Sequence, residues 1–212
     1  MKRLCNSLAA LAVASAIWGI SVTAVLAAKF TYPCFSTGRY NSHDLSPAQM
    51  QANYDAIIDY SLFPWIRELT LPGLPMSAAG AQHFAEAKRI FQLFAQGGLF
   101  GLVAAIALGL WIWRAHRASG FLRAGGVIAL ATPALLAIPL AIDFDRAFVL
   151  FHKIAFDNDL WIFDPRADPV INYLPEGLFM RNAFAIMALM VLLAVGCIVW
   201  DRLLRRRQAK RT

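Results

Sequence analysis

Four stretches without a single charged residue dominate this chain: Ser7 to Ala28, Ile90 to Trp113, Ala124 to Ile142 and Asn182 to Trp200. Each is long enough to cross a hydrocarbon core of about 30 Å as a helix. A soluble domain interleaves its apolar residues at helical or strand periods and carries roughly 25% charged residues. Here the charged share is 16% and the apolar residues are gathered into blocks. The blocks predict membrane spans at about 7–28, 90–113, 124–142 and 182–200. The expected fold is an all-α membrane protein, a single integral membrane domain over residues 1–212.

Orientation is read from lysine and arginine, which favour the cytoplasmic side. With both termini inside, the inner segments are the stub at Lys2 and Arg3, the loop 114–123 and the basic tail 201–212. These hold eleven basic residues and one acid, Asp201, while segments 29–89 and 143–181 hold nine basic residues and twelve acids. The opposite orientation reverses the bias. The two acid-containing segments are therefore expected to form a small extracytoplasmic cap on a plasma (inner) membrane protein. The net charge of +7 is concentrated on the inner segments, which points to membrane lipid as a partner and not to nucleic acid. The first block, with Lys2, Arg3 and Ala28, has features of a signal peptide. Its apolar run of about 21 residues exceeds the roughly 7–15 of such a peptide, so a retained helix is expected.

Within the first outer segment, Ser46-Pro47-Ala48-Gln49 is a helix start with the Ser and Gln of a capping box. Met50, Tyr54, Ile57 and Ile58 then recur at three and four residues, predicting an amphipathic helix that ends near Tyr60. Phe63-Pro64-Trp65 and Leu71-Pro72-Gly73-Leu74-Pro75 break it. Ser77 is placed to cap a third helix that runs into the second span and carries His83 toward the membrane boundary. In the second outer segment, Asp143 to Phe151 reads as an extension of the third span, bringing His152 to that boundary as well.

No P-loop, dinucleotide fingerprint, G-x-S-x-G elbow or H-E-x-x-H motif occurs. The three cysteines, Cys5, Cys34 and Cys197, form no disulfide framework. Two histidines beside the membrane remain. Their unperturbed pKa of about 6.5 suits proton transfer, which suggests acid–base chemistry on a lipid headgroup or ester. His43 and His116 read as surface residues. Asp157, Asn158, Asp159, Asp164 and Asp168 are of the type that binds hard cations, but their spacing fits turns better than a metal site. No metal or cofactor is expected. The uncharged spans argue against a transporter.

The stretch Phe151 to Phe179 reads FHxIxFxNDxWxxDPxxDxxIxxxPExxF, and His83 stands in an HFxxxKxIF context. Both resemble the lipoprotein intramolecular transacylase family of bacterial membrane proteins. The resemblance implies transfer of an acyl chain, in a diacylglyceryl-modified lipoprotein, from the glyceryl sn-2 ester to the α-amine of the N-terminal cysteine. It implies His83 and His152 as catalytic residues, with Phe151, Asn158, Asp159, Trp161, Asp164, Asp168 and Glu176 binding or orienting the substrate. Two other readings remain open from the residues: a non-catalytic membrane module whose cap binds a lipid or protein, and a metal-dependent lipid hydrolase.

Overall fold

The computed structural model describes residues 2–32 and 45–210. The readings made for Cys34 and His43 fall outside these residues. Six α-helices are present among them: α1 (Lys2–Ala27), α2 (Pro47–Leu62), α3 (Ala78–His116), α4 (Gly120–Ile142), α5 (Phe144–Ala155) and α6 (Glu176–Ala209). Short 3₁₀ turns occur at Lys29–Thr31 and Pro169–Tyr173. Helices α1, α3, α4 and α6 are long and apolar enough to cross a membrane. They contain the four charge-free blocks except Ala28.

The chain divides into two compact units, one of residues 1–23, 94–138 and 185–212, the other of residues 24–93 and 139–184. In the first unit α1 is the most enclosed helix. Half of its apolar stretch is buried, against 17–22% for the other three. The reason is side-chain size. Ala9, Ala10, Ala12, Ala14 and Ala16 are all buried on α1, and glycines on the neighbouring helices meet them. A Cβ at Gly101 would sit 2.8 Å from the Ala12 carbonyl oxygen, and one at Gly125 would sit 2.6 Å from that of Ala10. Small residues facing small residues let helix backbones approach closely, the usual contact where lipid supplies no hydrophobic drive. Polar ties are few and go mostly to backbone, as in Ser15 Oγ donating to the Gly97 carbonyl at 2.8 Å. One buried anion is an exception. Asp201, 1% exposed, accepts from Ser119 Oγ at 2.6 Å and from Arg205 Nε at 2.9 Å.

The second unit holds α2, α5 and the parts of α3 and α6 nearest to them in sequence. Helix α2 begins as its sequence predicts: Ser46 Oγ accepts from Gln49 N, Gln49 reaches back to Ser46 N, and Pro47 opens the helix. Its buried face contains Met50, Tyr54, Ile57 and Ile58, as the spacing requires. Helix α3 is 39 residues long, about 58 Å at 1.5 Å per residue. That is roughly twice the hydrocarbon core, and His83, Glu86, Lys88 and Arg89 all precede the charge-free block that begins at Ile90.

The expectation for Asp143 needs correction. The third span does not extend through Phe151. Helix α4 stops at Ile142, Asp143 takes an extended backbone (φ −154°, ψ 92°), and its side chain accepts from Arg146 N to begin the separate helix α5. The physical cause is the short carboxylate, which satisfies a free N–H better at a helix start than within a helix. His152 therefore stands on its own 12-residue helix, bearing Asp145 in its first turn and His152 and Lys153 in its last.

Candidate active site

Helix α5 turns Phe144, Phe148 and His152 to one face by their spacing of four. His152 is buried, and its Nδ1 lies 2.8 Å from the Phe148 carbonyl oxygen. A carbonyl can only accept, so Nδ1 carries the proton, and Nε2 of the neutral ring keeps its lone pair. Burial lowers the His152 pKa below its ordinary value, against a smaller upward pull from the Phe148 hydrogen bond.

On α3, His83 is 7% exposed, and its Nδ1 is a buried polar atom with no hydrogen-bond partner among the described residues. Burial, and next the neighbouring His152, push its pKa down to about 4, while the Glu86 carboxylate pulls the other way. The two imidazoles, 69 positions apart in the chain, have ring centroids 5.9 Å apart and tilted by 36°. One substrate group can touch both.

Aromatic rings enclose the pair. Phe156 stands edge-on to His83 at 4.9 Å and lies 5.6 Å from His152. Phe163 meets His83 at 5.5 Å, Trp161 meets His152 at 4.9 Å, and Phe148 lies 4.1 Å from His152. Phe151, about half exposed, sets its ring perpendicular to His152 at 5.3 Å. Such a lining desolvates the rings and explains why both prefer the neutral form.

Two polar residues hold this arrangement. Asn158 Nδ2 donates to both Glu86 oxygens at 3.2 and 3.1 Å, its side-chain oxygen accepts from Leu160 N, and its carbonyl accepts from Trp161 Nε1 at 3.1 Å. The loop after α5 is thereby fastened to α3 with Trp161 against His152. Asp168, 3% exposed, accepts from Ser77 N and Ser77 Oγ, both at 2.7 Å, and Ser77 Oγ in turn accepts from Gly80 N. It clamps the start of α3 six residues before His83. Gly80 is required beside this clamp, because any Cβ there would run into the Asp168 carboxylate.

The remaining expected residues are exposed. Asp164 is exposed and pairs with Arg166 at 2.9 Å, which lowers its pKa. Asp159 is exposed, and its carbonyl accepts from Ile162 N in a turn. Glu176 is exposed in the first turn of α6, where a carboxylate favours the positive helix end. Among the described residues, no three His, Cys, Asp or Glu side chains converge in a way that could hold a metal.

Glu86 is the residue that the sequence reading missed. It follows His83 by three positions and so shares its helix face. That spacing was the available signal. Hydrogen bonds from Gln82 and Asn158 keep its pKa low, and the helix leaves it partly exposed.

A family model described as lipoprotein intramolecular transacylase Lit matches residues 7–179. Among solved structures, the membrane integral lipoprotein intramolecular transacylase Lit from Bacillus cereus is 30% identical with a TM-score of 0.89. The match covers 99% of this chain and 98% of that one. Structures of the same Bacillus cereus protein with a histidine-to-arginine and a histidine-to-alanine mutation are 28% and 29% identical, each with a TM-score of 0.82. They cover 100% and 99% of this chain and 95% and 96% of theirs. No curated protein matches. With four spanning helices and a family match over most of its length, the chain is a multi-pass membrane acyltransferase that belongs to the lipoprotein intramolecular transacylase family.

Proposed function

We propose that this protein moves an acyl chain within a diacylglyceryl-modified lipoprotein, from the glyceryl sn-2 oxygen to the α-nitrogen of the lipid-bearing cysteine, with His83 and His152 as its catalytic residues. The observation that carries the reading is the meeting of two buried, neutral imidazoles at 5.9 Å inside an aromatic enclosure.

The His152 hydrogen bond supports one division of roles. His152, with Nδ1–H fixed on the Phe148 carbonyl, presents the Nε2 lone pair as the base. The substrate's amine nitrogen attacks the ester carbonyl carbon, and its proton passes to that lone pair. His83, as a neutral ring, donates an N–H to the ester oxygen as negative charge develops there. The carbon–oxygen bond to glycerol then breaks, and the proton returns to the departing sn-2 oxygen. The products are an amide and a free hydroxyl, with no acyl-enzyme. The lowered pKa leaves the ring unprotonated when the amine arrives, so its lone pair is free to accept. Nucleophile and ester belong to one molecule, so holding them in register removes about 7–11 kcal/mol of barrier in the best-oriented cases. The aromatic walls exclude water, the competing acyl acceptor.

The positive-inside bias supports cytoplasmic termini and a site on the outer face, within a cap formed by residues 29–89 and 143–181. The functional test is mass spectrometry of lipoprotein N-termini from cells that make only diacyl lipoproteins and express this protein. One acyl chain is expected on nitrogen, with none on nitrogen in His83→Ala or His152→Ala cells. An unchanged N-terminus, or full transfer by either variant, overturns the reading.

A further inference from the structure

The proposed reaction begins with a cation. Near neutral pH an α-amine of pKa about 8 is mostly ammonium, and neither imidazole can balance that charge, since both are neutral. Several acids of the second unit are committed elsewhere. Asp168 is buried on Ser77, Asp164 pairs with Arg166, Asp143 with Arg146 and Asp59 with Lys29. Asp157, Asp159 and Glu176 are exposed in a loop or at a helix start.

Glu86 differs in position and support. It lies one helical turn beyond His83, close enough that each group perturbs the other's charge. Asn158 holds both of its oxygens and Gln82 one of them. A carboxylate offers about four lone-pair sites, so capacity remains for a ligand, and its partial exposure leaves an approach open.

Resting on the function proposed above, we infer that Glu86 is the counter-charge that recognises the substrate's α-ammonium and remains beside its proton during transfer. A cation paired with Glu86 stands next to His83 and within one imidazole of His152. The ammonium first gives one proton to solvent; as the resulting amine attacks, its nitrogen becomes positive again, and that second proton passes to the His152 ring, so each cation has the same carboxylate as neighbour. The charged and titratable groups around Glu86 are His83 and Arg89 on its own helix and, through His83, His152 on α5; Asn158 and Gln82 are its neutral partners. The Gln82 and Asn158 hydrogen bonds lower the Glu86 pKa most, and Arg89, exposed on α3, adds a smaller pull in the same direction.

The test uses purified full-length protein in detergent with two synthetic lipopeptides. One is an S-diacylglyceryl-cysteinyl peptide with a free α-amine, the other its N-acetylated form, an uncharged competitor. Glu86→Gln keeps the shape and an acceptor for Asn158 while removing the charge. Its KM for the free-amine lipopeptide is expected to rise by up to roughly fivefold, as for loss of one ion pair at a partly exposed site. Its inhibition constant for the N-acetylated form should stay at the wild-type value. Equal values for wild type and variant with both lipopeptides overturn the inference. So does a parallel shift for both, which would mark Glu86 as a support for the Asn158 loop. Failure of the wild type to convert the free-amine lipopeptide at all overturns the proposed function itself, and the role of Glu86 with it.

Discussion

In the unit of residues 1–23, 94–138 and 185–212, helices approach mainly through alanine and glycine, with a few side-chain bonds across the chain, such as Ser15 to the Gly97 carbonyl and Ser119 to the buried Asp201 carboxylate. In the unit of residues 24–93 and 139–184, segments far apart in sequence are joined by polar side chains: Asp168 to Ser77, Asn158 to Glu86, Lys29 to Asp59, and Tyr32 to the Tyr173 carbonyl. The difference teaches where directional contacts are needed. Steric packing sets the spacing of helices but tolerates small slides along a face. A proton transfer demands that donor and acceptor be held within hydrogen-bond reach, and only the second unit supplies bonds of fixed direction around its histidines. Substitutions in the second unit should therefore alter rate beyond their effect on stability, whereas those in the first should act through stability alone.

The largest departure from parallel loss is expected at the imidazoles. His152→Ala should lower the transfer rate by roughly 10²–10⁴-fold, more than the loss of stability from emptying a buried site among Phe148, Phe156 and Trp161 explains when kcat is taken per folded molecule. The pH profile sharpens the point. His83 titrates at about 4 and His152 below 6.5, so the rate should climb with pH until the substrate amine is neutral, near 8, with no break at 6.5. A break at 6.5 would contradict the neutral pair. Stability has its own sign. With folded-state pKa values below the unfolded 6.5, the unfolded chain takes up protons first, so stability is full above 6.5 and is lost as pH falls toward about 4. Thermal unfolding between pH 7 and 4 measures it.

Next is the clamp. Asp168→Ala strands two donors on Ser77 and removes a buried carboxylate, at a cost of about 2–4 kcal/mol. It should also slow the reaction more than that destabilisation explains at a temperature where the protein stays folded, because it frees the start of the helix that carries His83. Thermal unfolding together with kcat in one preparation decides the matter. A stable variant with unchanged kcat would show that Asp168 does not position His83.

How far these differences were legible follows from their physics. The spans were legible because hydrocarbon forbids charge, a rule that acts on each block separately. The start of α2 was legible because a capping box is local, lying within four residues. Asp143 shows the limit of the same logic. Its carboxylate could be read as the end of one helix, but the independent helix after it depended on the bond to Arg146 N, and the extension expected through Phe151 was wrong. The proximity of His83 and His152 came from the resemblance and from their place beside two spans, since spacing along a chain sets no distance between helices. Glu86 escaped notice because Asn158, 72 positions away, is what gives its carboxylate a fixed place. Asp164 and Glu176, which the resemblance implies as binding or orienting residues, are exposed.

The first unit offers the complementary test. Gly101→Leu places a side chain where a Cβ alone would lie 2.8 Å from the Ala12 carbonyl oxygen and the Ala16 nitrogen. Backbone cannot give way as a flexible side chain can, so α1 and the second spanning helix must separate. The expected cost is about 1–3 kcal/mol, read as lower thermal stability in detergent, with kcat per folded molecule unchanged. A loss of kcat at full stability would mean that packing in this unit reaches the chemistry directly.

The smallest effect should come from the exposed polar ties of the second unit. Lys29 and Asp59 meet at 2.8 Å, but their side chains are 29% and 36% exposed, and a pair so open to solvent is worth about 0–1 kcal/mol. Lys29→Ala should therefore barely shift the unfolding midpoint, less at high salt than at low, and leave kcat alone. The contrast with Asp168 is then one of burial and not of bond length, since both contacts are near 2.7–2.8 Å. If Lys29→Ala instead slowed transfer as Asp168→Ala does, directional bonding throughout the unit, and not the buried clamp in particular, would be what holds the histidines in place.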